Sequence, residues 1–209
     1  VDGQTLGIPL PEPTLRQHIA EIKTGIDLAA FMGAPLVRLF AGSIPPESEK
    51  CAELWQTVIQ SFREVCEYAA DKGVLVGLHN HAPVLAPTGD EVLKLLRDVD
   101  RENFTFILDT GWWPGSPGAS PRGERDPAID FYQFMEQTAP AATYIRAKIY
   151  KIDSGREEWL DYERIMGIIS NLNFNGNISI VFEGQGNQCS DREAIGLAVT
   201  YLRGLLAAL

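Results

Sequence analysis

A chain of 209 residues, 45% apolar and 22% charged, has the length and composition of one soluble domain with a substantial core. Its formal net charge of −10 opposes nucleic-acid binding, which needs a basic footprint, and leaves an anionic membrane nothing to attract, so the only anion site to expect is a local basic pocket. No secretory leader, transit segment or membrane-spanning run is visible, and three cysteines (Cys51, Cys66 and Cys189) are too few for a disulfide framework, which points to a reducing, cytoplasmic setting.

Residues 1–13 carry Pro9, Pro11 and Pro13 and read as a loop or the stub of a strand. A helix is predicted from a Thr14 cap to about Met32, with Leu15, Ile19, Ile22 and Ile26 on one face, His18 on the solvated face and Gly33 as the stop. A strand at about 35–40 holds Arg38, and a loop with Pro45-Pro46 follows. A long helix over about 48–72 carries both Cys51 and Cys66. Fifteen helical residues place them roughly 22 Å apart, too far to bridge.

The run Gly73-Val-Leu-Val-Gly-Leu-His79-Asn-His81 reads as a buried strand that ends in titratable groups. Unpaired polar groups are costly to bury, so such an end marks the mouth of a site. Two of the chain's three histidines stand here, and their parity places both on one face.

Thr88-Gly-Asp-Glu then opens a helix to about Arg97, and a strand over 104–109 ends at Asp109. Residues 110–125 are rich in Gly, Pro and Ser, carry Trp112-Trp113 and read as a long structureless loop, functional or mobile. Asp126-Pro127 starts a helix to about Thr138, and a strand over 143–150 holds Arg146 and Lys148. A charged loop over 151–160 includes Glu157-Glu158, read with Arg122 and Arg125 as solvated charges, while Trp159 and Tyr162 pack beneath it. Asp161 caps a helix to about Leu172, Asn175-Gly176 turns, a strand over 178–183 ends at Glu183, and Ser190 or Asp191 starts a last helix to about Leu206.

Strict alternation of short apolar strands with amphipathic helices means a parallel sheet covered by helices. The choice is between a doubly wound open sheet and a (β/α) barrel. No Gly-x-Gly-x-x-Gly follows a strand, and polar groups stand at the C-terminal ends of most strands, as on the active face of a barrel. The expected fold is therefore an α/β TIM-type barrel. Five strands and six helices fall short of eight of each, so the barrel is expected to lack its first one to two βα units. Its open sheet edges are then expected either to be covered by another chain, such as a second copy in a homo-oligomer, or to be partly trimmed.

Several pieces together resemble the xylose-isomerase-like TIM barrels, also called sugar phosphate isomerases/epimerases. They are Ala34-Pro-Leu-Val-Arg-Leu-Phe-Ala-Gly42, Leu78-His-Asn-His81, Leu108-Asp-Thr-Gly111, Tyr144-Ile-Arg-Ala-Lys148, Leu160-Asp-Tyr162 and Asn175-Gly-Asn-Ile-Ser-Ile-Val-Phe-Glu-Gly184. The resemblance runs over about residues 14–206 and implies that 1–209 is a single barrel domain. It implies a divalent metal held by four strand-end groups: a glutamate, an aspartate, a histidine and a final glutamate. Asp109 and Glu183 match two of them. His79 stands where the first glutamate is expected, Arg146 where the histidine is expected, and Trp112 where a histidine follows Asp-Thr-Gly. Lys148 and His81 match a family lysine and histidine.

Two expectations for the centre stay open. In one, Asp109, Glu183 and His79 hold Mn, Mg or Zn with water completing the set. In the other, Arg146 and Lys148 neutralise the carboxylates and no metal binds, because an arginine cannot ligate a cation and opposes one nearby. The resemblance implies proton transfer next to a sugar carbonyl, with Glu183, His79 and Lys148 as candidate catalytic groups. Arg38, His81, Trp112 and Arg146 are candidate substrate-binding groups, Trp112 and Trp113 offering a flat apolar wall for a sugar ring. Each has a plainer alternative: an ion pair for Arg38 and Lys148, a backbone-bonded edge histidine, or loop packing for the tryptophans. All these groups are expected to converge on one cavity.

The expected activity is an isomerase or epimerase for a small sugar. The alternative is a non-catalytic sugar-binding or regulatory protein on the same scaffold, since a fold does not fix a function. A metal-dependent endonuclease is disfavoured by the acidic balance.

Overall fold

The computed structural model describes residues 12–42, 51–81, 85–120, 122–172, 174–184 and 189–208. The predicted N-terminal loop, the Pro45-Pro46 loop and the start of the second helix before Cys51 lie outside them. The chain forms two compact units, residues 1–107 and 108–209.

In the first unit, α1 (Glu12–Met32), β1 (Leu36–Leu39), α2 (Cys51–Ala70), β2 (Leu75–His79), α3 (Gly89–Val99) and β3 (Phe104–Asp109, whose last two residues belong to the second unit) alternate as predicted. The strands run parallel in the order β1-β2-β3, with Arg38 level with Gly77 and His79 level with Ile107. Leu15, Ile19, Ile22 and Ile26 recur at helical spacing on the buried face of α1, as do Leu54, Val58, Phe62 and Val65 on α2. Gly33 adopts a left-handed φ of 71° and closes α1, where any other residue would be strained. α1 begins at Glu12, ahead of the predicted Thr14 cap, and His18 is half-buried rather than solvated. Thr88 caps α3 reciprocally: Glu91 N–H donates to its hydroxyl, and its own N–H donates to the Glu91 carboxylate at 3.1 Å.

The second unit holds α4 (Tyr132–Thr138), β4 (Ala142–Ile149), α5 (Tyr162–Ser170), β5 (Asn177–Phe182) and α6 (Asp191–Ala207). The strand order continues from the end of β3 to β4 and β5, and β5 runs parallel to β4 with Lys148 level with Val181. Asp161 caps α5 as predicted, and Ser190, one of the two predicted starts, caps α6.

Three further expectations do not hold. α4 starts at Tyr132, not at Asp126, because the Asp126 carboxylate bonds the Ala128 N–H at 2.9 Å and commits that stretch to a turn. The 110–120 part of the predicted structureless loop is ordered around a buried 3-10 turn, Pro117–Ala119, with the Ser116 hydroxyl on the Gly111 carbonyl. Glu157 is buried at 3% exposure, unlike its solvated neighbour Glu158. No helix among the described residues is long and apolar enough to cross a membrane.

Candidate functional site

Strand periodicity and strand length place the polar groups. His79 is the last residue of β2 and Asp109 the last of β3; Lys148 is one residue from the end of β4, and Glu183 directly follows β5.

In the first unit Arg38, Phe40, His79 and His81 form one cluster. The Arg38 Nη1 lies 3.0 Å from His79 Nδ1. A guanidinium only donates, so Nδ1 accepts and the His79 proton sits on Nε2. Phe40 packs against both histidine rings, 4.9 Å from His79 and 5.2 Å from His81, and lies under the Arg38 guanidinium at 4.9 Å. The histidine rings are 5.9 Å apart, as their shared parity requires. His79 is buried while Arg38 and His81 are half-buried. Phe40 was not singled out in the sequence, where an aromatic at the end of an apolar run looks like core.

The second unit brings together Asp109, Arg146, Lys148, Glu183 and Trp112. Asp109 is fully buried: its Oδ1 accepts the Gly111 N–H at 2.9 Å, and its Oδ2 faces Arg146 Nε at 3.3 Å and Lys148 Nζ at 3.7 Å. The Lys148 side chain is 4% exposed and its Nζ also pairs with Glu183 Oε1. The Glu183 side chain keeps 30% exposure, so this carboxylate is the cluster's open acid. The ring of half-buried Trp112 lies 5.7 Å from Lys148 Nζ. Trp113 turns the other way, fully buried against Phe134 at 5.6 Å, so of the two tryptophans it is the one that packs the loop.

A hydrogen-bonded frame beneath this cluster was only partly visible in the sequence. Thr110 Oγ accepts the Lys148 N–H at 3.0 Å, and the Tyr162 hydroxyl donates to the Lys148 carbonyl at 2.7 Å while lying 3.1 Å from Thr110 Oγ. The backbone on both sides of the Lys148 side chain is thereby fixed. The Tyr150 hydroxyl donates to the Gly111 carbonyl at 3.2 Å. A Cβ on Gly111 would come within 2.8 Å of Lys148 Cγ, which is why the residue after Asp-Thr is glycine. Burial pushes both tyrosine hydroxyls to higher pKa, with the Asp109 charge adding to the effect, and keeps them protonated as donors. Glu157 completes the frame by accepting the N–H groups of Tyr150, Lys151 and Trp159 at 2.8, 3.1 and 2.9 Å. Burial raises its pKa, and these backbone donors offset part of the rise.

The residues expected to hold a metal do not fit one. The Asp109 oxygens face an N–H and two cations, Glu183 faces an ammonium, and His79 Nδ1 faces a guanidinium. Arg146 and Lys148 already balance the two carboxylates charge for charge. Among the described residues no group of three or more His, Cys, Asp or Glu is placed to hold a metal ion.

A family profile described as xylose isomerase-like TIM barrel matches residues 3–204. The chain belongs to this family. No curated protein matches it in sequence. Among solved structures, this xylose isomerase-like barrel is similar to a D-tagatose 3-epimerase-like protein at 18% identity, over 95% of this chain and 72% of that one, with a TM-score of 0.70. It is similar to 3-keto-D-glucoside 4-epimerase from E. coli at 15% identity, over 95% and 76% of the two chains, TM-score 0.71. A third, a xylose isomerase-like barrel protein from Mycobacterium smegmatis in complex with magnesium, gives 18% identity over 97% and 70%, TM-score 0.67. Identities this low establish the shared fold and leave activity to the site itself.

Proposed function

We propose that this protein is an isomerase or epimerase for a small sugar or sugar derivative, working by proton transfer at the C-terminal ends of its strands. The carrying observation is the pairing of a part-exposed carboxylate, Glu183, with a buried ammonium, Lys148, beside the Trp112 ring. The epimerases among its structural neighbours support the sugar class.

The chemistry needs a base for a C–H next to a carbonyl and a donor for the oxygen that gains charge. Glu183 takes the proton, the C–H electron pair becomes the enediolate double bond, and the Lys148 N–H groups hold the oxygen. Return of the proton to the opposite face gives the epimer. Return to the neighbouring carbon, with a hydroxyl proton moving to the first oxygen, gives the isomer. Trp112 offers a sugar ring a flat wall, and Arg146 a donor for a hydroxyl. The first unit's own cluster of Arg38, His79 and His81 offers polar groups that could bind a hydroxyl there.

One observation favours a second reading. Asp109 is fully buried and clamped by Gly111 and two cations, which leaves Glu183 as the cluster's accessible acid. A sugar-binding protein without catalysis needs no more than that. An NMR time course over a panel of aldoses and ketoses separates the two. Appearance of an epimer or isomer, lost in Glu183→Gln by about 10²–10⁴-fold, supports the enzyme. Saturable binding with no new product supports the binder.

A further inference from the structure

We propose that Lys148 is a built-in cation that takes the part a divalent ion would play at the strand ends, so that the protein binds its ligand without a divalent metal.

Asp109 has no exposure to water. A buried carboxylate must be compensated, by a bound ion or by the chain itself. Here the chain supplies both charges. The Lys148 ammonium stands between Asp109 and Glu183, pairing with the second and 3.7 Å from the first. Arg146 Nε adds a second cation 3.3 Å from Asp109 Oδ2. The four side chains sum to zero charge. An entering dication would leave a net charge of +2 on a mostly buried cluster and would meet two fixed positive groups at close range.

The position of Lys148 is also fixed rather than incidental. Its backbone N–H is held by Thr110 and its carbonyl by the buried hydroxyl of Tyr162. Trp112 stands over its ammonium, and a lysine N–H directed at a ligand carbonyl or hydroxyl polarises that oxygen as a Lewis acid would. This role for Lys148 holds whether the ligand is turned over or only bound.

The test is a titration of Mn²⁺ into protein stripped with EDTA, following the free-ion signal by electron paramagnetic resonance. Wild-type protein is expected to leave the ion free and to melt at the same temperature with and without Mn²⁺, Mg²⁺ or Zn²⁺. Lys148→Met, which leaves the carboxylates in excess, is expected to take up about one Mn²⁺ per chain and to gain melting temperature from it. The charge-balanced pair Lys148→Met/Glu183→Gln is expected to lose that uptake. Stoichiometric Mn²⁺ on the wild-type protein, abolished by Asp109→Asn, overturns the proposal, and so does a folded Lys148→Met that ignores the ion. If Lys148→Met does not fold with or without Mn²⁺, the wild-type titration decides: uptake overturns the proposal and its absence upholds it.

Discussion

The hydroxyl of Tyr162 donates to the backbone carbonyl of Lys148 at 2.7 Å, so a tyrosine on α5 fixes the backbone from which the lysine reaches the carboxylates. Tyr162→Phe leaves that buried carbonyl without its hydroxyl donor, which costs about 1–3 kcal/mol. Thr110→Val removes the acceptor for the Lys148 N–H and is expected to cost a similar amount. The two residues share one network, so their effects should not add, with a coupling of about 0.5 kcal/mol or more. Urea unfolding of the two single variants and the double variant measures it; additive losses would mean that the hydroxyls act separately.

Arg38 fixes the tautomer of His79. Because Nδ1 accepts from the guanidinium at 3.0 Å, nitrogen-15 NMR is expected to find the His79 proton on Nε2. Arg38→Met should release that preference. A wild-type ring protonated on Nδ1 would contradict the arrangement.

Glu157 gives the protein a pH dependence of defined sign. Its pKa in the folded state lies above the ordinary 4.5, chiefly because of burial. The folded state therefore holds the proton more tightly than the unfolded chain does. Its contribution is fully present below the unfolded value, falls as pH rises through the raised folded value, and is level above it. Relative to Glu157→Gln, which does not titrate, the wild-type protein should lose unfolding free energy as pH rises from the ordinary carboxylate value through the raised folded one. The check is the difference between the two proteins in denaturant titrations across that range. A difference that grows with pH would reverse the sign.

The cysteines should separate by reactivity. Cys66 is buried on α2, and burial pushes its thiol up to about 12, leaving almost no thiolate at neutral pH. Cys189 is half-buried before α6. Iodoacetamide followed by peptide mapping should label Cys189 in the native protein and Cys66 only as the protein unfolds. Rapid native labelling of Cys66 would contradict its placement.

Periodicity carried most of the fold. β3 was legible to the residue because an apolar run that closes on Asp109 has one reading, and Asp161 was legible as a cap, with Ser190 one of two candidate starts, because such side chains serve helix starts. Asp126-Pro127 looked like a third such start, yet the Asp126 side chain closes a turn instead, a competition that sequence alone leaves balanced. Charge chemistry made Arg146 and Lys148 visible as neutralising partners for Asp109. Nothing in a charged loop marks Glu157, and not Glu158, as the acid that folds inward to collect backbone N–H groups. The burial of Tyr162 is legible in the sequence, but the role of its hydroxyl depends on the positions of Thr110 and Lys148, which only the folded chain reveals.

The most direct test of the sugar reading is deuterium exchange. Wild-type protein in D₂O, incubated with a panel of aldoses and ketoses, is predicted to place deuterium on the carbon next to the carbonyl of at least one sugar, and Glu183→Gln is predicted not to. A folded wild-type protein that exchanges no sugar, with or without added Mn²⁺, Mg²⁺ or Zn²⁺, would contradict it.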